Sequence, residues 1–179
     1  MILAETPLAG AFVAELQSIE DSRGFFGRAW CRQELADVGV DFEPVQANMS
    51  GSHRRGTLRG LHYQVTGHEE AKFIRCVRGA IFDVIVDLRT GSPTLGQWFG
   101  VELTAANRRA LLVPRGFAHG YQTLQDDSEA LYLVTSAFAP GAEKGLRWND
   151  PAIGIRWPLA EGVTVSAKDA SWPDYRGGA

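Results

Sequence analysis

Glycine and proline divide this chain into short segments, and this feature constrains its fold most. The 179 residues include 20 glycines and 8 prolines. Both residue types interrupt helices, and short apolar runs between frequent turn residues are typical of strands. Candidate strands occupy Ala11–Leu16, Gly24–Trp30, Val45–Ser50, Thr57–Gln64, Phe73–Arg78, Ala80–Leu88, Gln97–Leu103, Ala110–Val113, His119–Thr123 and Glu129–Phe138. Their regular spacing predicts an all-β sandwich or barrel.

One segment, Arg32–Val38, predicts a helix, because Gly39 follows it at the usual C-cap place. The chain shows no repeat, linker or low-complexity stretch. At 179 residues it is long enough to bury a core without disulfides or metal. We therefore expect a single domain over residues 1–179.

Composition argues against several classes of protein. The net charge is −3 and no run of Lys or Arg occurs, so nucleic acid is not an expected partner. The best candidate for a membrane span, Ala80–Leu88, is short and interrupted by Asp83 and Asp87, and the first residues lack the pattern of a signal peptide. Cys31 and Cys76 make no disulfide framework and are interpreted as reduced thiols. We expect a cytoplasmic protein with no membrane partner.

The stretch Gly56–Gln64 combines reactive side chains with glycine. In a regular strand His62 and Arg59 would point to opposite faces. A glycine inside a strand often marks a bulge or a close approach, and a bulge at Gly60 would bring Arg59 and His62 to the same side. The alternative is a half-buried strand with one satisfied core histidine. Other reactive residues in similar settings downstream favour a functional site.

Two further segments carry polar side chains that could face a cavity inside the fold. The strand Ala80–Leu88 has one apolar face and one mixed face that includes Asp83 and Asp87. These acids either reach a polar cavity or lie on a solvated outer face, and the pattern favours neither. Farther along, His119 stands between small residues after a Pro-Arg-Gly turn, which leaves room for a ligand.

Five blocks of sequence resemble a known family, the dTDP-4-dehydrorhamnose 3,5-epimerases. The blocks are Asp21–Phe26 (DSRGFF), Gln46–Ser50 (QANMS), Leu58–Gln64 (LRGLHYQ), Gly116–Gly120 (GFAHG) and Ser166–Asp169 (SAKD). They occur in the family's order and spacing over nearly the whole chain. The resemblance implies a cupin-type jelly roll, or double-stranded β-helix, with one or two short helices. It also implies a homodimer with strands exchanged across the interface, a nucleotide-sugar substrate and no cofactor.

The resemblance also implies a role for particular residues. It makes His62 the catalytic base, Asp169 the carboxylate behind it, and Tyr132 the acid on the opposite face of the sugar. Lys72 and Arg59 would lie by the sugar ketone. Residues implied in further substrate binding are His119, Glu143 and Lys168, with Arg23, Gln46 and Asn48 toward the nucleotide end.

The implied chemistry explains these residue types. In a 4-keto-6-deoxyhexose, C3 and C5 both adjoin the carbonyl, so loss of either proton gives an enolate with its charge on O4. Inversion then needs a base and an acid on opposite faces. Histidine suits the base, because its ordinary pKa is about 6.5. Cationic Lys72 and Arg59 would stabilise the charge on O4, and tyrosine returns a proton without being ionised at rest.

Three alternatives stay open at this point. Metal-dependent cupins usually need a His-x-His pair, but the position two residues after His62 is Gln64, so no metal is expected. A non-catalytic sugar-binding module on the same fold needs neither a base nor an acid. Inversion at C3 only or at C5 only needs the same catalytic groups as inversion at both.

Two positions depart from the family pattern. Ala137 stands where many members have a second tyrosine, and Arg28 stands where the family usually has a glutamate near the nucleotide base. Arginine only donates hydrogen bonds, which matches the acceptors of cytosine better than the N3–H of thymine. A CDP-linked sugar is therefore an alternative to a dTDP-linked one. The competing interpretation is that Arg28 turns to solvent or to a diphosphate oxygen and leaves base choice unaffected.

Overall fold

Two sheets of short strands face each other in the computed structural model, which describes residues 1–177. The strands are β1 (Ile2–Glu5), β2 (Phe12–Glu15), β3 (Ser18–Asp21), β4 (Gly24–Gly27), β5 (Gln46–Ser52), β6 (Thr57–Gln64), β7 (Lys72–Arg78), β8 (Ala80–Asp87), β9 (Trp98–Thr104), β10 (Ala110–Val113), β11 (Phe117–Thr123), β12 (Ser128–Val134), β13 (Glu143–Gly145) and β14 (Thr164–Val165). The helices α1 (Arg32–Ala36) and α2 (Ala167–Ala170) are short. The fold is all-β with two short helices, as predicted.

Strands distant in sequence alternate within each sheet. The first sheet has the order β1-β2-β10-β7-β12-β5, and the second has the order β13-β6-β11-β8-β9 with β14 added in parallel beside β6. All other pairings are antiparallel. A separate hairpin, β3–β4, joins neither sheet. Because β6 lies between β13 and β11, the segment with His62 is central to the second sheet.

Buried side chains form three layers around these sheets. The middle cluster lies between the sheets and includes Ile74, Ile85 and Leu111. A second cluster on the outer face of the first sheet packs around Leu35 of α1 and Phe42. The third, on the outer face of the second sheet, is covered by the C-terminal segment; its members include Leu61, Val84, Val86, Leu146 and Ile153. Both faces of each sheet are thus covered, which fixes the strands that carry the polar residues.

The observed strands differ from the predicted ones mainly at their ends. The segments Thr57–Gln64 and Ala110–Val113 have the predicted bounds. The predicted strand Glu129–Phe138 ends at Val134, because Thr135 turns to bond the backbone of Ala71, and residues 137–142 leave the sheet. The helix predicted over Arg32–Val38 ends at Ala36, and Gly39 takes a φ of +79° just beyond it. Strands β1, β3 and β13 and helix α2 were not predicted, whereas β14 falls within a short apolar strand expected over Val163–Val165.

The two acids of β8 are fully buried, so the solvated outer face considered for them is wrong. Asp83 accepts a hydrogen bond from His119 Nε2 at 2.8 Å. Asp87 accepts from the Arg89 guanidinium at 2.7 and 2.9 Å and from two hydroxyl groups, Ser92 at 2.6 Å and Thr94 at 2.7 Å. Asp83 therefore lies behind His119, which lines a polar cavity described below, whereas Asp87 holds the turn after β8 in place.

Asp87→Asn should destabilise the fold at neutral pH by about 2–3 kcal/mol, since it replaces a charged acceptor by a partly mismatched amide. Burial alone would raise the pKa of the Asp87 carboxyl, but hydrogen bonds from Arg89, Ser92 and Thr94 hold it far below its ordinary value. A carboxyl with a lowered folded-state pKa stabilises the fold above its unfolded pKa of about 3.9, and this contribution is lost as pH falls. Urea unfolding at pH 7 and pH 3 would measure this difference.

The gap in unfolding free energy between wild type and Asp87→Asn should shrink at the lower pH. Asp41→Asn, at an exposed position, is the control and should change little at either pH. An equal loss at both pH values would contradict the role given to the Asp87 charge.

Among residues 1–177 no helix is both long enough and apolar enough to cross a membrane. Both cysteines are free, with Cys76 buried and Cys31 partly so.

Candidate active site

A cavity of about 320 Å³, here the main cavity, opens between the two sheets. Its lining comes from β5, β6, β7, β12, β13 and the loops beside them: Gln46, Asn48, His62, Tyr63, Gln64, Glu70, Lys72, Tyr132, Phe138 and Glu143. A second cavity of about 170 Å³ shares His62, Lys72 and Tyr132 with it and adds Ser50, Arg59, His119, Gly120, Tyr121 and Asp169. The three shared residues therefore mark the junction of the two cavities.

A bulge at Gly60 sets the direction of two side chains on β6. His62 pairs with His119 of β11, whereas Arg59 pairs with Tyr121, so three steps along β6 match two along β11. Gly60 has a φ of +117°, and a Cβ there would lie 2.6 Å from Gly120 Cα. Only glycine, which has no Cβ, allows the backbones of Gly60 and Gly120 to come this close. Arg59 and His62 consequently both line the second cavity, as the bulge predicted from sequence requires.

His62 and Asp169 form a hydrogen-bonded pair although 107 residues separate them. The His62 Nε2 to Asp169 Oδ1 distance is 2.7 Å, and the carboxylate also accepts from Gly60 N at 3.2 Å. Ser166 caps α2 by accepting from Asp169 N at 3.0 Å, which fixes the acid on its helix. Burial alone would raise the pKa of the Asp169 carboxyl, but hydrogen bonds from His62 and Gly60 keep it below its ordinary value.

An ionised Asp169 fixes the tautomer of the His62 ring. A carboxylate only accepts hydrogen bonds, so Nε2 carries the proton and Nδ1 keeps its lone pair. Nδ1 lies 3.7 Å from Glu143 Oε1 at the wall of the main cavity. This arrangement gives a basic nitrogen next to the cavity with a carboxylate behind the ring.

A second histidine–aspartate pair lies on the neighbouring strands. Asp83, which is fully buried, binds His119 Nε2 from β8, and His119 lines the second cavity. Burial raises the pKa of the Asp83 carboxyl, although His119 and Lys72 oppose this effect. His119 thus presents its ring to the cavity with a fixed orientation.

Tyr132 faces the same space from the opposite sheet. It lies on β12 of the first sheet, while His62 lies on β6 of the second. Burial, aided by Tyr121 and Glu70, raises the pKa of the Tyr132 hydroxyl above its ordinary value. The hydroxyl is therefore protonated at neutral pH. Lys72 lies on the neighbouring strand β7 of the same sheet, with its Nζ 6.0 Å from the centre of the Tyr132 ring.

Most of the site residues predicted from the resemblance meet in these two cavities. The main cavity holds Gln46, Asn48, His62, Lys72, Tyr132 and Glu143, and the second adds Arg59, His119 and Asp169. Lys168 lines neither cavity but donates to Glu143 at the edge of the main one. The roles given to these residues stay predictions, because geometry alone shows position.

Arg23 and Arg28 lie outside both cavities. Arg23 donates to Asp21 within its own hairpin and is largely exposed. Arg28 donates to Glu34 of α1 at 2.7 Å. Within one chain, neither arginine reaches the groups around His62.

Several cavity residues were missed at the sequence level, among them Glu70, Phe138 and Tyr121. Glu70 stands two residues before Lys72, so strand parity alone would have placed both on one side. Tyr121 stands two residues after His119 and could have been found in the same way. Phe138 has the same parity as Tyr132 in the strand predicted over Glu129–Phe138, although it lies beyond the observed end of β12.

Within residues 1–177 no group of three or more His, Cys, Asp and Glu side chains is arranged to hold a metal ion. Both histidines of the cavities bind carboxylates through Nε2.

Comparison with known proteins identifies the family. The family model described as dTDP-4-dehydrorhamnose 3,5-epimerase matches residues 5–176. The chain belongs to this family. The dTDP-4-dehydrorhamnose 3,5-epimerase of Salmonella typhimurium is 42% identical over 174 residues, which cover 97% of this chain and 94% of the relative. The resemblance predicted from the five sequence blocks is confirmed.

Solved structures of related enzymes share the fold. The dTDP-4-dehydrorhamnose 3,5-epimerase from Elizabethkingia anophelis superposes with a TM-score of 0.95 at 36% identity, covering 98% of this chain and 96% of that one. The dTDP-6-deoxy-D-glucose-3,5-epimerase from Legionella pneumophila, solved in complex with dTDP-4-keto-L-rhamnose, gives 0.91 at 37% identity, covering 97% and 92%. The predicted jelly roll is therefore confirmed.

A relative with a narrower reaction also has this fold. ChmJ, a 3′-monoepimerase from Streptomyces bikiniensis in complex with dTDP-quinovose, gives a TM-score of 0.87 at 35% identity, covering 94% of this chain and 85% of that one. Overall fold therefore does not separate inversion at one carbon from inversion at two.

Proposed function

We propose that this protein is an isomerase that converts dTDP-4-dehydro-6-deoxy-glucose to dTDP-4-dehydro-rhamnose by inverting C3 and C5. The observation that carries the proposal is the placement of His62 and Tyr132 on opposite sheets, with Lys72 lining the same two cavities. Membership of the family and the dTDP-4-keto-L-rhamnose bound to the Legionella relative support the choice of substrate.

The proposed base is His62 Nδ1. It takes the proton from C3 or C5, and the electron pair moves into the carbonyl to leave negative charge on O4. Asp169 behind the ring stabilises the imidazolium that results. Lys72 and Arg59 line the same space and donate to O4 as its charge develops, a contribution of about 3–4 kcal/mol for a well-placed donor.

Tyr132 completes the inversion in this proposal. Its hydroxyl gives a proton to the carbanion from the face opposite to His62, and the electron pair returns from O4 to carbon. Since the pKa of Tyr132 is raised, the hydroxyl holds its proton until the enolate accepts it. A sugar-binding module would need neither this acid nor the His62–Asp169 pair.

Proton NMR in D₂O tests the proposal directly. Wild type incubated with the dTDP-linked 4-keto-6-deoxyglucose should exchange hydrogen for deuterium at both C3 and C5 and accumulate the doubly inverted product. Exchange at one carbon only would favour the monoepimerase alternative, for which ChmJ is the precedent at 35% identity. No exchange with retained dTDP binding would favour the sugar-binding module.

We propose a dTDP-linked rather than a CDP-linked substrate. The CDP alternative requires Arg28 to face the nucleotide base, but its guanidinium pairs with Glu34 instead. This pairing favours the interpretation in which Arg28 leaves base choice unaffected. Titration of wild type and Arg28→Glu with dTDP and CDP checks this, since a swing toward dTDP in the variant would support the CDP alternative.

The active form is proposed to be a homodimer. The hairpin β3–β4 pairs with neither sheet and exposes Ile19, Phe25 and Phe26 by 73, 52 and 74%. Strand β5, which carries Gln46 and Asn48 of the main cavity, is an open sheet edge. Hydrogen-bonding edges and apolar patches of this kind are typically covered by a partner.

Light scattering should give twice the chain mass for wild type and a monomer for Phe26→Asp. A wild-type monomer with full activity would contradict the dimer.

We further propose that residues 1–179 form one domain acting in the cytoplasm. The family model spans residues 5–176, and the two sheets share one cluster of buried side chains. Residues 178 and 179 of the predicted domain lie outside the described residues. A nucleotide-sugar substrate and two free cysteines support a reducing compartment.

Dialysis against a chelator should leave activity unchanged, because the proposed steps need only a base, an acid and donors to O4. Gln64 also replaces the second ligand of the metal-binding cupins. Activity and metal content measured before and after dialysis check this. A stoichiometric metal whose removal abolishes activity would contradict the proposed mechanism.

A further inference from the structure

Glu70 places a carboxylate in the main cavity that the mechanism above does not use. It accepts a hydrogen bond from Lys72 Nζ, and the side chains of Glu70 and Lys72 are only 13% and 11% exposed. The two residues stand two apart on an extended chain and therefore face the same side. The lysine proposed to meet the sugar ketone thus has a fixed partner.

The backbone around Glu70 is anchored on both sides. Glu69 O accepts from the Ser136 hydroxyl at 2.8 Å. Ala71 N donates to Thr135 Oγ1 at 2.9 Å, and Ala71 O accepts from Thr135 N at 3.1 Å. These bonds tie residues 69–71 to the end of β12, the strand that carries Tyr132. The backbone from which the Glu70 carboxylate extends therefore has a fixed position on the cavity wall.

We propose that Glu70 is a positioning residue that holds the Lys72 ammonium in place for the sugar ketone. This inference rests on the proposed epimerase function. It assigns a role to a residue that the sequence blocks did not include.

The hydrogen-bonding capacity of lysine agrees with this role. A buried ammonium without a partner is costly and tends to lose its proton. Glu70 satisfies one of the three N–H donors of Lys72, which leaves two for O4. As the enolate forms, Lys72 donates hydrogen bonds to O4, and the proton from carbon goes to His62.

Tyr132 is surrounded by groups that act on its pKa in both directions. Burial raises it most, and Tyr121, Glu70 and Glu143 raise it further, while Arg59 lowers it. The Lys72 ammonium also lies near its ring, at 6.0 Å from the ring centre. His62 and His119 line the second cavity with it. Removing the charge of Glu70 takes away one of the groups that raise the pKa, so the pKa of Tyr132 should fall.

The test compares Glu70→Gln with Glu69→Gln. The first removes the charge beside Lys72 and keeps the size of the side chain. The second removes the same charge one residue away, where Glu69 accepts from Gly67 N at 2.7 Å and lines a neighbouring cavity of about 220 Å³ that contains none of His62, Lys72 and Tyr132. The readouts are kcat and KM for inversion, and the pH titration of Tyr132 by NMR of ¹³Cζ-labelled tyrosine, assigned with Tyr132→Phe.

Glu70→Gln should lower kcat about 10-fold to 100-fold with a smaller change in KM, as expected for a misplaced donor. It should also shift the Tyr132 titration to lower pH. Glu69→Gln should leave both at the wild-type values. Glu70→Asp keeps the charge but shortens the reach, so it should lower kcat while the titration changes less than in Glu70→Gln.

Wild-type kcat and an unchanged Tyr132 titration in a folded Glu70→Gln would overturn this inference and leave the epimerase proposal intact. Absence of exchange in wild type would instead overturn the epimerase proposal and this inference with it. Circular dichroism shows whether each variant is folded. If Glu70→Gln does not fold, an unchanged kcat in Glu70→Asp would overturn the positioning role.

Discussion

Replacing His62 with asparagine should lower hydrogen exchange at both C3 and C5 by about 10²–10⁴-fold, the range for loss of a general base. Asparagine can still donate to Asp169, so the fold should be kept. It has no lone pair of comparable basicity to take a proton from carbon. Deuterium incorporation in D₂O measures the loss at each carbon separately.

His53→Asn is the matched control for this variant. His53 also contacts an aspartate, Asp127, at 3.4 Å, but its side chain is exposed and lines neither cavity. Exchange should stay at the wild-type rate in this control. If hydrogen exchange at C3 and C5 is as fast in His62→Asn as in wild type, His62 is not the base. The tautomer fixed by Asp169 would then have no catalytic role.

Tyr132→Phe should lower the rate of completed inversion by about 10²–10⁴-fold. Hydrogen exchange through His62 should survive. The change removes one hydroxyl and little volume, so stability should change little. Product analysis by NMR separates exchange with retention from inversion. Loss of both together would instead indicate that Tyr132 is needed to bind the substrate.

Tyr175→Phe provides the comparison for a lost hydroxyl, because Tyr175 packs in the cluster on the outer face of the second sheet. It should invert both carbons normally. Normal product from Tyr132→Phe would contradict the acid role and require another proton donor, such as water in the cavity.

Local pattern was enough to predict the parts of this fold that depend on neighbouring residues. The turns set by glycine and proline gave the strands β6 and β10 their bounds, and Gly60 gave the bulge that turns Arg59 and His62 to one side. Strand β13, of three residues, was missed. Such a short segment has no periodicity of its own and forms because β6 offers it a partner.

Long-range placement is the part that spacing could not supply. Nothing near Asp169 in the sequence indicates that it meets His62 across 107 residues. The family resemblance supplied this pairing, and the structure brings the two side chains together. Similarly, the mixed face of β8 could not show whether its acids were solvated, because that depends on His119 and Arg89 from other elements.

The pairing of β14 with β6 has a consequence for the order in which the active site is completed during synthesis. All strands of the two sheets except β14 precede residue 146, whereas Asp169 follows residue 163. A nascent chain that stops between these points contains the strands of both sheets and His62, but it lacks the carboxylate that orients the ring and part of the segment that covers the outer face of the second sheet. Catalytic competence should therefore appear only after the C-terminal segment has been synthesised.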